Sequence, residues 1–267
     1  MADWSKITSR GNIDDRRGAG PTAVGGVGLA GVVIYALFSY FSTGTVDVGT
    51  VLNQLQTTQV QQQTIDTKAF DGADSYEVFA STVLGSTNDM WSSLFNKSNK
   101  TYTPPELVLF RGSTDSACGG ATSDIGPHYC SGDSTIYLDE TFFDELQTRF
   151  HASGDVAQAY VIAHEVGHHI QHELQIENSD SIHNELQADC FAGLWANSIK
   201  DQGIFEPGEI KEALDAASAV GDDNIQKTVN GTVNPETWTH GSSQQRVAAF
   251  NKGYTTGTFA SCQPFQG

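Results

Sequence analysis

The segment AYVIAHEVGHHIQHEL, residues 159–174, constrains the fold of this chain more than any other. Its apolar residues recur at helical spacing and it contains no proline, so it predicts a long helix from Asp155 to about Leu174. His164 and His168 are four residues apart, and on a helix such side chains project from one face, about 40° apart around the axis. Both imidazoles can therefore reach a single ion.

Glu165 lies between these histidines in sequence and one step further around the helix. On a helix, H-E-x-x-H is the signature of zinc peptidases in which the glutamate acts as general base. Glu165 is therefore expected to contact a metal-bound water rather than the metal. The small Gly167 leaves room for close packing against a neighbouring element.

A catalytic zinc site also needs a third protein ligand and an open fourth position. The metzincin pattern fails, because Gln171 and Leu174 stand where it requires Gly and His. His172 continues the face of His168, but three histidines along a straight helix cannot converge on one tetrahedral ion. We expect His172 at the surface or behind the ligands, and His169 in solvent.

The downstream segment HNELQADCFAGLW offers carboxylates instead. Glu185 follows the motif's second histidine by 17 residues, enough for a turn into a second helix, from Ser181 or Asn184 to Ile199. Asp189 lies four residues beyond Glu185 on the same face and can accept the spare ring N–H of a ligating histidine. The alternative is that Glu185 and Asp189 belong to an exposed acidic face of the helix. Because this segment follows an H-E-x-x-H helix in the sequence, we favour Glu185 as the third ligand.

An uncharged run at residues 18–46 predicts a membrane segment. Within it, residues 23–41 are apolar, small or weakly polar, close to the ~20 residues that a spanning helix needs. Arg16 and Arg17 precede the run and no Lys or Arg follows before Lys68. The positive-inside rule then places the N-terminus in the cytoplasm and the large domain outside.

We therefore predict a single-pass protein of the cell membrane. Its parts are a cytoplasmic tail (1–22), a transmembrane anchor (23–41), a stalk rich in Gln and Thr (42–72) and an extracytoplasmic catalytic domain (73–267). A cleaved signal peptide and a buried Gly-rich core helix are the alternatives.

Beyond the stalk, the pattern predicts an α+β domain with a small sheet followed by helices. Strand candidates are 106–110 and 134–139, and we interpret 134–139 as an edge strand that pairs with an extended substrate. Helices are predicted at residues 73–95, 141–150, 155–174 and 242–250. Two more are predicted between them: the helix that ends at Ile199, described above, and a helix in the segment PGEIKEALDAASAV, which begins with Pro207.

The four cysteines show no C-x-x-C spacing, which disfavours a cysteine zinc site. Cys118 and Cys130 bracket a Gly- and Ser-rich loop, and we predict that they pair. A second bridge, Cys190 to Cys262, would fasten the C-terminal tail to the helix of Glu185; a free buried Cys190 is the alternative. Two disulfides are typical of an oxidising compartment.

Several of these segments together resemble known zinc peptidases. HEVGH followed by NELQAD resembles the gluzincin arrangement, which implies Glu185 as third ligand and Asn184 and Asp189 beside the ligands. Along almost its whole length the chain resembles the bacterial family named putative neutral zinc metallopeptidases. The resemblance is carried by IDDRRG, CGGATSDIGPHYC, IYLDETFFDEL, AYVIAHEVGHHIQ, ELQADCFAGLWA and HGSSQQR. It implies a zincin-like fold, a Zn²⁺ cofactor and a peptide or protein substrate.

Gluzincins often stabilise the oxyanion with a His or Tyr outside the metal motif. His240 is our first candidate for this role, with Arg246 and Tyr137 as alternatives. The resulting hypothesis is a membrane-anchored zinc metalloendopeptidase. A silent zinc-fold scaffold, disfavoured by the intact Glu165, and a zinc hydrolase of non-peptide amides in the cell envelope are the alternatives. The net charge of −18 repels phosphates, so we expect no nucleic-acid partner, and the oligomeric state stays open.

Overall fold

The computed structural model describes residues 1–17, 74–123, 125–177 and 180–265. Within these ranges the chain forms two small sheets and seven α-helices, in agreement with the predicted α+β class. The strands are β1 (Ile13–Asp15), β2 (Glu106–Phe110), β3 (Ser113–Ser116), β4 (Gly119–Thr122), β5 (His128–Cys130) and β6 (Thr135–Asp139).

The main sheet has the strand order β1-β2-β6-β5. β1, β2 and β6 run parallel, whereas β5 is antiparallel to β6. All of β6 and most of β2 are buried, as expected for inner strands covered on both faces. The prediction that residues 134–139 form an edge strand is therefore wrong, because β5 lies outside β6. β3 and β4 form a separate antiparallel hairpin.

Seven helices account for most of the remaining described residues. They are α1 (Ser75–Lys97), α2 (Thr141–Thr148), α3 (Asp155–Leu174), α4 (Ser181–Ile199), α5 (Ile210–Ala219), α6 (Asp222–Asn230) and α7 (Ser243–Thr256). The predicted helices correspond to all of these except α6, which the sequence patterns did not reveal. α3 and α4 contribute much of the core, including Val166, Ile170, Phe191 and Trp195.

The N-terminal residues pack with the main body of the described chain. Residues 1–16 belong to the same compact unit as the described residues between 74 and 265. The physical reason is that β1 completes the sheet by pairing with β2. The predicted anchor, 23–41, and the whole of the predicted stalk, 42–72, lie outside the described residues. No helix in the described ranges is long and apolar enough to span a membrane.

Both predicted cysteine pairings occur in the structure. Cys118 is bonded to Cys130, and Cys190 to Cys262. The second bridge joins α4 to the 3₁₀ segment Phe259–Phe265, and the Gln187 side chain donates to the Cys262 carbonyl 3.1 Å away. The C-terminal segment is thus held against the helix that carries Glu185.

Candidate metal centre

Close packing of α3 against α4 brings Glu185 to the two histidines. Gly167 faces Ala188 at the contact, and a Cβ atom at Gly167 would lie 2.9 Å from the Ala188 Cα. Any larger residue at position 167 would push the helices apart. The glycine inside the H-E-x-x-H motif therefore sets how near the third candidate ligand can come.

Three candidate ligand atoms converge between α3 and α4. The Nε2 atoms of His164 and His168 are 3.2 Å apart. The Glu185 carboxylate reaches both, with its oxygens 3.2 Å from His164 Nε2 and 3.4 Å from His168 Nε2. Within the described part of the chain, this is the group of His, Cys, Asp and Glu side chains arranged to hold a metal ion.

These distances fit a zinc ion. Ligands about 2.0–2.1 Å from a tetrahedral zinc lie about 3.3 Å from one another. The three ligand-to-ligand distances of 3.2, 3.2 and 3.4 Å match that spacing. Two imidazoles and one carboxylate are also a donor set that catalytic zinc uses, with the fourth position left open.

Each histidine is oriented through its other ring nitrogen. His164 Nδ1 lies 2.8 Å from Asp189 Oδ1, as the sequence predicts for Asp189. His168 Nδ1 donates to Gln171 Oε1 at 2.9 Å, and the Gln171 amide is held in turn by the Asn184 carbonyl. Both Nε2 atoms are consequently directed at the candidate metal position.

A buried network stands behind Asp189. The Arg246 guanidinium donates to both Asp189 oxygens, at 2.8 and 3.0 Å, and to the Tyr160 hydroxyl oxygen at 3.2 Å. Tyr160 itself donates to Asp189 at 2.5 Å. Arg246 therefore orients Asp189 behind His164, and its alternative role as oxyanion donor stays a prediction.

The electrostatics of the site favour a bound cation. Burial lowers the pKa of His164, but the carboxylates of Asp189 and Glu185 outweigh burial and raise that pKa to about 10. Burial raises the pKa of Glu185, but both histidines hold it well below its usual range. The carboxylates thus stay ionised, and the Nε2 atoms attract a proton or, in competition with it, a metal ion.

Gln171 is a site residue that the sequence reasoning missed. Its signal was its place three residues after His168, one helical turn along the same face. We expect Gln171→Leu to lower zinc affinity by roughly 10–100-fold, because the His168 ring loses the partner that orients it. Titration with a competing chelator measures the affinity.

The matched control for Gln171→Leu is His172→Ala, one residue further along α3. His172 is partly exposed, and its Nδ1 lies 3.6 Å from Glu177 rather than near the candidate metal position. Zinc affinity should not change in this variant. A loss as large as that of Gln171→Leu would mean that the two substitutions act through the helix and not through His168.

The ligands line one side of an open cleft of about 620 Å³. Glu165 lies at its wall, and its carboxylate has no hydrogen bond or ion pair within the described ranges. Apolar side chains of several elements form other parts of the wall, among them Phe142, Val161, Val220 and Ile225. The cleft therefore offers a free carboxylate beside the candidate metal position.

His240 also lines this cleft and is held there by Asp222 at the start of α6. Asp222 accepts hydrogen bonds from the backbone N–H groups of Thr239, His240 and Gly241 at 2.7–3.0 Å. Its other oxygen lies 3.1 Å from His240 Nδ1. The sequence patterns did not reveal Asp222, because α6 itself was not predicted.

The other candidate residues are not part of the ligand group. Tyr137, in β6, is buried away from the cleft and donates to Asp133 at 2.8 Å. His169 is fully buried, so the expectation of a solvated side chain is wrong: its ring nitrogens contact the Tyr129 hydroxyl and the Thr103 carbonyl. Asn184 borders the cleft, with its backbone carbonyl on Gln171.

Comparison with known proteins agrees with this geometry. The family model "Putative neutral zinc metallopeptidase" matches residues 2–265. The uncharacterized protein YpfJ of Escherichia coli K12 is 38% identical over 288 aligned residues, covering 98% of both chains. The uncharacterized protein Rv2575 of Mycobacterium tuberculosis H37Rv is 38% identical over 241 residues, covering 77% of this chain and 81% of the relative. No solved structure matches significantly. This chain belongs to the family described as "Putative neutral zinc metallopeptidase", and the family implies zinc as its cofactor.

Proposed function

We propose that the protein is a zinc-dependent endopeptidase that hydrolyses peptide bonds in the cleft beside α3. The observation that carries the proposal is the convergence of His164, His168 and Glu185 at zinc spacing, next to the unengaged carboxylate of Glu165. In this proposal the first three residues hold the metal and Glu165 is the general base.

When bound, zinc supplies Lewis acidity, which polarises the scissile carbonyl and lowers the pKa of a coordinated water to about 7. Glu165 accepts the proton from the attacking water and delivers it to the leaving amine. Asp189 and Gln171 keep the two imidazoles in the tautomer that leaves Nε2 for the metal. Glu165 and Gln171 line the cleft, and Asp189 lies behind His164.

His240 is proposed to stabilise the oxyanion. Its Nδ1 is bound to Asp222, so its Nε2 is the nitrogen left to meet the substrate. An N–H at Nε2, directed into the cleft, would donate a hydrogen bond to the negative charge that develops on the substrate oxygen. About half of the side chain is exposed, which leaves it accessible from the cleft.

The substrate is proposed to bind as an extended strand along β5. This strand is an edge of the main sheet and borders the cleft through His128 and Tyr129. An extended peptide can pair with such an edge through its backbone, whatever its side chains are. His169 holds the Tyr129 hydroxyl at 3.1 Å, which fixes β5 relative to the metal-binding helix.

The test is digestion of a mixed peptide library by the purified protein, with mass spectrometry of the products. We expect cleavage with zinc, none after chelation, and recovery when zinc is returned. Release of product only from envelope-type amides would favour the non-peptide hydrolase instead. A zinc-loaded protein without any turnover would favour the scaffold, and either outcome overturns the proposal.

His240→Ala tests the oxyanion assignment with the same peptides. We expect kcat to fall by roughly 100- to 1,000-fold, the usual effect of removing one oxyanion donor, with KM and zinc content little changed. The matched control is His183→Ala, an exposed histidine paired with Asp180 outside the cleft. An unchanged kcat in His240→Ala would exclude His240 from the mechanism.

A further inference from the structure

The N-terminal strand is hydrogen-bonded into the sheet of the catalytic domain. In the parallel pairing of β1 with β2, Ile13 lies opposite Leu107 and Asp15 opposite Leu109. The pairing continues at both ends: the Leu107 N–H donates to the Asn12 carbonyl at 3.0 Å, and the Arg16 N–H donates to the Leu109 carbonyl at 2.7 Å. Residues 12–16 thus satisfy backbone groups of a buried strand.

The segment just before β1 crosses helix α1 at close range. The Gly11 N–H donates to the Ser81 carbonyl at 2.7 Å, and the Ser81 hydroxyl donates to the Gly11 carbonyl at 2.8 Å. A Cβ atom at Gly85 would lie 2.6 Å from the Arg10 backbone nitrogen. A glycine in mid-helix is less favourable than alanine, because it loses more backbone freedom when the helix forms. The crossing explains why α1 has one there.

The first residues contact the N-terminal end of α3, the metal-binding helix. Asp155, its first residue, accepts hydrogen bonds at 2.9 Å from the Ala2 N–H and at 2.7 Å from the Trp4 indole N–H. The Trp4 ring also stacks on Trp195 of α4, with centroids 6.4 Å apart. The N-terminal segment therefore braces both helices that supply the candidate zinc ligands.

From these contacts we propose that residues 1–16 are an integral part of the catalytic domain, and that they lie on the same side of any membrane as the candidate zinc site. A single crossing at residues 23–41 would place them on the opposite side. That would break the strand pairing, the α1 crossing and the Asp155 contacts together. Because residues 1–16 and the residues from 74 onward would share one side, any membrane crossings between them would be even in number, zero included.

Cysteine accessibility tests the shared side in the full-length protein in cells. Thr8→Cys and Asn96→Cys each place one thiol at an exposed position, the first in the N-terminal segment and the second in α1. The four native cysteines are disulfide-bonded and should not react with maleimide. If both positions lie outside the cell membrane, an impermeant maleimide should label both variants in intact cells. If both lie inside, it should label both variants only after the cells are permeabilised. Labelling of one in intact cells and the other only after permeabilisation would overturn the proposal.

Cross-linking tests the strand pairing independently of sidedness and of catalytic activity. The Asn12 side chain donates to Glu106 at 2.9 Å across the β1–β2 edge. In the double variant Asn12→Cys/Glu106→Cys, a short bis-maleimide should link the two positions within one chain, seen as a joined peptide by mass spectrometry. The single variants are the controls. A double variant that is labelled at both thiols but never joined would show that the N-terminal segment does not pair with β2.

Discussion

Replacing Glu185 by Ala is expected to remove zinc from the protein and to abolish hydrolysis. The carboxylate lies 3.2–3.4 Å from both Nε2 atoms, and the two histidines of α3 cannot complete a catalytic zinc site without a third ligand. The loss of affinity should exceed the roughly 100-fold that an outer hydrogen-bond partner contributes. Elemental analysis of the purified variant gives the zinc content directly.

The matched control for Glu185→Ala is Glu177→Ala. Glu177 also lines the cleft, but it is more than half exposed and is absent from the ligand group. Its replacement should leave the zinc content unchanged, although it removes the same charge from the same cleft. Full zinc content in Glu185→Ala would show that Glu185 is not the third ligand. Asp189 would then be the next candidate.

Replacing Glu165 by Gln is expected to separate metal binding from turnover. Zinc should be retained, since Glu165 is not in the ligand group, whereas kcat should fall by roughly 100- to 10,000-fold, the range for removal of a general base. Glutamine keeps the shape of the side chain but cannot accept the proton of the attacking water. Parallel zinc analysis and peptide kinetics on one preparation measure both effects.

The control for Glu165→Gln is Glu173→Gln, two turns further along α3. It makes the same chemical change on the same helix at a residue that does not line the cleft. Wild-type kcat is expected there. Retention of wild-type kcat in Glu165→Gln itself would mean that another group accepts the proton, and the proposed mechanism would then be wrong.

The candidate site residues could be predicted without the tertiary structure, because the relevant information is local. Helical spacing alone predicts that His164 and His168 share a face, and the same spacing relates Glu185 to Asp189 on the next helix. The structure brings these four residues together as predicted, although their roles stay predictions until the variants are measured.

Residues that support the site were harder to find, because they depend on contacts between distant elements. Asp222 holds His240 from a short helix, DDNIQKTVN, that contains few apolar residues. Arg246 donates to Asp189, 57 residues earlier in the chain. Hydrogen-bond partners of this kind have no fixed spacing in sequence, so periodicity cannot predict them.

The order of the strands and the place of the N-terminus were decided by the tertiary structure alone. A pattern of buried apolar residues predicts β2 and β6, but it does not say which strand lies at the edge, and that strand is β5. Nor does the pattern show that β1, more than 90 residues before β2, pairs with it. Local periodicity determined which segments become helices or strands. Contacts between residues far apart in sequence, which form only when the chain folds, determined which of these segments pack or pair with one another.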